Sequence, residues 1–214
     1  MKSINRKSFR IVTPAVGCPV DRETLKAYLK IDSTTDDTLL NFLTKAAQNA
    51  IDRYCNRFFM NTTLEYTMDG LNDQNREPLA AGYFQGHKAT VLGISQEFDL
   101  PFRPIVSITS IKTYDTNNVE TTVSPSIYNL DKTGGRVYLN QDAQWPSDLR
   151  TREAIKVVYV AGYGANTSDV PFDVQEAYMM HVAKMYECRD NCELSDACKA
   201  ALAPYRTLDD LGWC

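Results

Sequence analysis

A chain of 214 residues, 43% hydrophobic and 23% charged, has the make-up of a globular protein with one elaborated domain or two small ones. Its 27 acidic and 23 basic side chains leave a net charge of −4, which argues against tight, charge-driven binding to a phosphate backbone but not against a surface past which DNA slides. No apolar run approaches the roughly 20 residues of a membrane span, and residues 1–14 lack the apolar segment of a signal peptide, so the six cysteines read as reduced thiols in a cytosol.

Residues 1–19 carry few structural signals beyond Phe9-Arg10-Ile11-Val12 and read as an extended arm. Asp21 is a cap for a first helix over 21–31, and Val20 and Leu25 have the spacing of a hydrophobic staple. Ser33-Thr34-Thr35 reads as a turn, with Thr35 capping a second helix over 36–57. Asp36 and Asp37 suit the positive end of its dipole. Its apolar stripe is read as Leu39, Leu43, Ala46, Ala47, Ala50 and Tyr54.

Strand patterns follow, over about 62–160. Leu64, Tyr66 and Met68 alternate, and an irregular stretch from Gly70 to Asp99 separates them from a strand bearing Val106, Ile108 and Ile111. Asp115-Thr116-Asn117-Asn118 and Gly134-Gly135 read as hairpin turns. The run from Ile155 to Val160 is rich in β-branched residues, and with five of its six side chains apolar or aromatic it predicts a strand covered on both faces. Gly162 and Gly164 supply a sharp turn, Asp169 a cap, and Pro171 the first turn of a helix over 172–190. Val174, Ala177, Tyr178, His181, Val182 and Met185 form one helical stripe, serving either as core or as a subunit interface. Ser195 caps a last helix over 195–203, and 207–214 is a short acidic tail containing Leu208, Leu211 and Trp213. The order predicts an α+β fold in which an antiparallel β region is inserted in a helical core of two N-terminal and two C-terminal helices, forming one domain over 20–206.

The side chains that carry chemistry are sparse. His87 lies in the irregular stretch and His181 on an apolar helix face, and no nucleophile motif such as G-x-S-x-G accompanies them. Gly162-Tyr163-Gly164 is not a dinucleotide loop, because Thr167 stands where a third glycine would and Pro171 interrupts the segment beyond it. Cys188 and Cys192 share a helical spacing with Cys198 nearby, but the spacing matches no usual zinc pattern. His181 lies roughly 10 Å along the helix from Cys188, too far to share an ion with it. The sequence therefore predicts no catalytic residue, no metal site and no cofactor. Aromatic side chains dominate interface hot spots, which makes Trp213 in the tail a candidate docking contact.

Four stretches together resemble the head–tail connector, or adaptor, proteins of long-tailed bacteriophages and prophages. They are Leu25–Ile31 with Asp36–Leu40 and Ala47–Arg57; Leu100–Ile108 leading to Tyr114-Asp115; Ala161–Gly164 with Val170-Pro171 and the helix to Arg189; and Ala201–Arg206. The resemblance implies a structural virion protein rather than an enzyme. It implies a ring, commonly of twelve subunits, in the phage neck, made in the host bacterial cytoplasm and associated with no membrane. Its partners would be further copies of itself, the portal protein, the next neck or tail protein, and double-stranded DNA passing through the lumen without sequence-specific binding. On this reading Leu202, Tyr205, Arg206, Leu208, Leu211 and Trp213 are the portal-contact candidates, and Tyr178, His181 and Met185 the subunit-interface or core candidates. A stopper or tail terminator is the alternative from the same class, and a small DNA-packaging enzyme the alternative from another. The stretch 70–99 and the extension 207–214 depart from the family pattern.

Overall fold

The fold is seen in a computed structural model that describes residues 7–69, 97–146, 148–188 and 193–207. Among the described residues, four α-helices and two antiparallel sheets make it α+β. Helix α1 (Arg22–Leu29) begins as its sequence implies, with the Asp21 side chain accepting from the Glu23 N–H and with Val20 and Leu25 both buried. It closes through Lys30, whose φ of 56° lets the Ile31 N–H reach the Lys26 carbonyl at 3.0 Å. Lys26 Nζ pairs with Asp37 at 2.9 Å, which ties α1 to the start of the next helix.

Helix α2 (Asp37–Cys55) corrects two expectations. Asp36, not Thr35, is its N-cap residue, while Thr35 is held in a local turn by the Ser33 hydroxyl. Its buried stripe is Leu40, Leu43, Thr44, Ala47, Gln48, Ile51, Asp52 and Cys55, so Leu39 faces outward. The helix is rotated so that the branched Leu40 and Ile51 are enclosed, because they remove more apolar area from water than Ala46 or Ala50 would. Three polar residues on the same face go in with them.

Strand β1 (Lys7–Thr13) lies within the stretch read as an arm and pairs antiparallel with β2 (Thr62–Met68). The β structure is therefore not confined to an insertion between helices. The larger sheet runs β1-β2-β8-β4-β5, with β4 at Ile105–Tyr114, β5 at Glu120–Thr122 and β8 at Ile155–Ala161. A smaller sheet runs β3-β7-β6, with β3 at Glu97–Asp99, β6 at Tyr128–Asp131 and β7 at Arg136–Leu139. Asp115 makes the β4–β5 turn by accepting from the Asn117 and Val119 N–H groups, and Gly135 makes the β6–β7 turn at φ 67°.

Only one face of β8 is fully enclosed. Ile155, Val157, Tyr159 and Ala161 are buried, whereas Lys156, Val158 and Val160 are half-buried. The other face of the sheet carries charge: Arg10 grips Glu65 at 2.7 and 3.1 Å, Lys156 stands 3.9 Å from the same carboxylate, and the Arg150 guanidinium lies 4.3 Å from the Tyr114 ring centre. The enclosed face joins Leu64, Tyr66, Phe98, Phe102 and Val137 in one apolar cluster spanning both sheets. The Tyr159 hydroxyl is satisfied by the Pro101 carbonyl at 3.0 Å.

A second cluster contains Leu25 of α1, Leu43 to Cys55 of α2, Val174 to Val182 of α3 (Phe172–Glu187) and Cys198 and Leu202 of α4 (Asp196–Leu202). Pro171, rather than Asp169, is the N-cap residue of α3; Asp169 instead accepts from the Asn166 N–H in the preceding 3-10 turn. Ser195 caps α4 by accepting from the Cys198 N–H.

The turn between β8 and α3 needs its first glycine. Gly162 has φ +140°, and a Cβ there would come within 2.7 Å of the Met60 carbonyl carbon and 2.8 Å of the Asn61 nitrogen, both backbone atoms. Gly162→Ala is therefore expected to lower the unfolding free energy by about 2 kcal/mol or more, read as a lower urea midpoint. An unchanged midpoint would show that the 60–61 backbone yields freely.

Candidate functional site

The end of α2, the β8–α3 turn and the segment after α4 meet at one place, and local rules bring them there. Asn56 takes the left-handed conformation at φ 52°, the Asn56 N–H bonds the Arg53 carbonyl and the Arg57 N–H bonds the Asp52 carbonyl at 3.0 Å. This C-terminal motif ends the helix and points the chain from Arg57 into Phe58 and Phe59. The Tyr163 N–H then reaches the Phe59 carbonyl at 3.1 Å, and the Asn61 N–H reaches that of Gly164 at 2.9 Å. After α4 a 3-10 turn, Ala203–Tyr205, carries the chain back to α2, where the Thr207 N–H bonds the Cys55 carbonyl at 2.9 Å and its hydroxyl donates to the Asn56 carbonyl at 2.9 Å.

Phe59 is the centre of this junction. It is wholly buried, stacked on Tyr163 at 5.7 Å and edge-on to Tyr205 and Tyr178 at 6.0 and 6.5 Å. Beside it, Arg57 donates to the Tyr163 hydroxyl at 2.8 Å. Arg57, Arg103, Pro104, Thr133, Tyr163 and Thr207 line an open cleft of about 370 Å³. Arg103 donates to the Gly134 carbonyl at 3.1 Å from the cleft's far side.

Below the junction, α2 and α3 share a polar seam. Asp52 is buried and accepts from the Tyr178 hydroxyl at 3.3 Å and the Phe59 N–H at 3.4 Å. Burial raises its carboxyl to about 8 against these two hydrogen bonds, which work the other way. Burial, and after it the nearby Asp52, pushes the Cys55 thiol up to about 12. Burial and then Lys184 lower the His181 imidazole, so this ring is neutral at pH 7. At the seam's other end the Tyr186 hydroxyl donates to Asp36 at 2.8 Å.

The structure distributes the residues singled out in sequence unevenly. Tyr178 is buried in the α2–α3 seam, His181 is buried on α3, and Met185 is half-buried against the second apolar cluster. Leu202 is wholly buried, so it anchors the C-terminal segment rather than presenting a surface. Tyr205 is half-buried, and Arg206 is exposed with its guanidinium 5.3 Å from the Tyr54 ring centre. Leu208, Leu211, Trp213, His87 and Cys192 lie outside the described residues, as does 70–96 of the irregular stretch. Cys188 is exposed, whereas Cys198 is buried with its thiol on the Ala177 carbonyl at 3.1 Å. Among the described residues no group of three or more His, Cys, Asp and Glu side chains could hold a metal ion, and no helix is long and apolar enough to cross a membrane. Arg57, Phe59, Asp52 and Arg103 escaped the sequence reading. An asparagine closing a long helical stripe was the available signal for the first two.

What these elements define is a subunit with a built C-terminal anchor and clustered aromatics. Residues 23–134, more than half of the chain, match the phage gp6-like head-tail connector protein family. The chain belongs to that family: it is a structural protein of a phage-like virion, not an enzyme. Solved structures share the fold over 96% of this chain and 98% of theirs. One is from the neck of an empty gene transfer agent (GTA) particle with C6 symmetry, at TM-score 0.71 and 19% identity. A second comes from the virion of a native GTA particle, at TM-score 0.69 and 19% identity. A third is from the neck of a native GTA particle with C12 symmetry, at TM-score 0.66 and 21% identity. No curated protein sequence matches the chain.

Proposed function

We propose that this connector forms a twelve-subunit ring in the virion neck, joins the portal to the next neck or tail protein and extends the DNA channel. The observation that carries this is the family match. The likeness to chains from particle necks with C6 and C12 symmetry, both of which suit twelve copies, supports it. Rings arise from heterologous interfaces that close. A net charge of −4 favours a lumen past which DNA slides without strong phosphate contacts.

Within that reading the C-terminal segment makes the portal contact. Leu202 is its buried anchor, Tyr205 and Arg206 its base, and Leu208, Leu211 and Trp213 its contact residues. The helical core built from both chain halves acts as the rigid platform, with Tyr178, His181 and Met185 serving that core, and the β region with the 70–99 stretch faces the lumen or the tail side.

Because Tyr205 packs on Phe59 and Thr207 bonds the end of α2, the informative truncation ends after Thr207 and leaves the anchor intact. Removing 208–214 is expected to weaken co-sedimentation with portal by about tenfold or more, roughly 1.4 kcal/mol. Unchanged binding would overturn the tail contact. An electron cryomicroscopy map of the neck with the 70–99 stretch on the outer rim would overturn the placement of the β region.

A further inference from the structure

Helix α2 carries a second apolar stripe, turned to solvent. Leu39, Phe42, Ala46 and Ala50 follow at i, i+3, i+7 and i+11, so they share one side of the helix. Leu39 and Phe42 are exposed and the two alanines half-buried, while the stripe from Leu40 to Cys55 faces the core. Among the described residues every other phenylalanine is partly or wholly buried, except Phe172 at the start of α3. Phe42 is 70% exposed and Phe172 83%. A lone exposed apolar side chain needs no explanation, but a helix that is apolar on two sides has a second surface to cover.

The two exposed phenylalanines do not meet within one subunit. Helices α2 and α3 run antiparallel: Tyr186 reaches Asp36 at one end of the pair, and Tyr178 reaches Asp52 near the other. Phe42 precedes Asp52 by ten residues and Phe172 precedes Tyr178 by six, in opposite directions. At 1.5 Å per residue they stand roughly 20 Å apart along the helices. Their surroundings also differ in sign. The exposed charges on the outward side of α2 are Lys45 and Arg53, both basic. Phe172 is flanked by Asp169, Asp173 and Glu176, all exposed, and residues 165–183 contain no lysine or arginine. Two complementary patches at opposite ends of one subunit suit a head-to-tail contact between copies. A twofold contact would lay one basic face on another, which repels.

We propose that the outward side of α2 receives Phe172 from a second copy of this chain. The incoming ring lies against Leu39, Phe42 and Ala46, and Asp173 and Glu176 of that copy face Lys45 and Arg53. The alanines at 46 and 50 leave room beside Phe42, and two phenyl rings pack well edge-on or offset. Each subunit then has one giving and one receiving surface, so the contact repeats from copy to copy. Its closure into a circle rests on the neck-ring reading proposed above; the contact itself does not.

The test places the photoreactive analogue benzoylphenylalanine at position 42 of the full-length chain. Protein at natural nitrogen abundance and ¹⁵N-labelled protein are mixed in equal parts, irradiated alone and with portal, and the cross-links are mapped by mass spectrometry. Mixed-isotope products mark contacts between copies, and they are expected to join position 42 to residues 169–176 of the other copy. Phe172→Ser should lower their yield by about tenfold or more, as should Lys45→Glu with Arg53→Glu. Adding Asp173→Lys and Glu176→Lys to the latter pair should restore it. All five substituted positions are exposed and belong to neither apolar cluster, and urea unfolding checks that each variant is folded. Cross-links between copies that fall only on residues 39–53, or only on other surfaces, would overturn the contact. So would their absence from both mixtures. Rings seen by electron microscopy with the cross-links elsewhere would overturn the contact and leave the neck ring standing. The expected cross-link in assemblies that never close would support the contact and remove the ring.

Discussion

Phe59→Ala is expected to lower the unfolding free energy by about 3–5 kcal/mol, the range for an aromatic removed from a well-packed interior. Phe59 has no exposure to solvent, and Tyr163, Tyr178 and Tyr205 all pack on its ring. Those three cannot easily fall into the void. The Tyr163 hydroxyl is held by Arg57 and the Tyr178 hydroxyl by Asp52, so collapse would break hydrogen bonds as well as move rings. A cavity that cannot close belongs at the costly end of the range. The loss should also loosen the C-terminal segment, because Tyr205 gives up its aromatic partner. Urea unfolding measures the first effect, and the rate of proteolysis after Tyr205 measures the second. Phe42→Ala is the control: that side chain is 70% exposed, and its removal should change stability by no more than about 0.5 kcal/mol. A cost below about 1 kcal/mol for Phe59→Ala would mean that the junction repacks around the void.

The parts of this fold that were legible in sequence are those decided within a few residues. Asp21 as a cap, Val20 against Leu25, the Asp115 turn and the alternation of Leu64, Tyr66 and Met68 each depend on near neighbours, and each is realised. The misreadings share a different cause. On α2 the apolar letters at Ala46, Ala50 and Leu39 suggested a face one position away from the real one. The true face carries Thr44, Gln48 and Asp52, which look solvated in sequence yet are buried in the fold, Asp52 against Tyr178 of α3. Asp52 and Tyr178 meet across 126 residues of sequence, and Asp36 and Tyr186 across 150. Likewise Lys7–Thr13 is an unremarkable segment until β2 offers it an edge. The cleft draws its lining from five separate stretches, at 57, 103–104, 133, 163 and 207, so no local pattern announces it. On α3 the residues at helical spacing, Val174, Ala177, Tyr178, His181 and Val182, are buried, and Met185 is half-buried; the polar member, His181, sits among apolar residues, so the face shows in the local pattern.

The buried carboxyl of that seam leads to the second expected result: Asp52→Asn should stabilise the protein above neutral pH and hardly at all in acid. Burial lifts the Asp52 carboxyl from 3.8 to about 8 in the folded chain. The folded state therefore binds more protons than the unfolded state between these values. Its favourable contribution is complete below about pH 3.8 and is lost progressively as pH rises towards 8. Each pH unit in that window is worth about 1.4 kcal/mol for one fully linked proton, so the accumulated loss by pH 8.5 is several kcal/mol. Asparagine keeps an oxygen to accept from Tyr178 and from the Phe59 N–H, and it has no proton to lose. The variant should match the parent near pH 4 and exceed it by several kcal/mol near pH 8.5. Urea unfolding at the two pH values decides this, and parallel profiles would show that Asp52 is ionised in the fold after all. His181 acts with the opposite sign. Its imidazole is lowered by burial, so its contribution is present above its unfolded value near 6.5 and is lost as pH falls through and below that value. Burial of α3 is thus opposed by protonation of His181 at the acid end, and the α2–α3 seam by ionisation of Asp52 at the alkaline end. Asp52→Asn should relieve only the alkaline side, widening the pH range over which the helical platform stays intact.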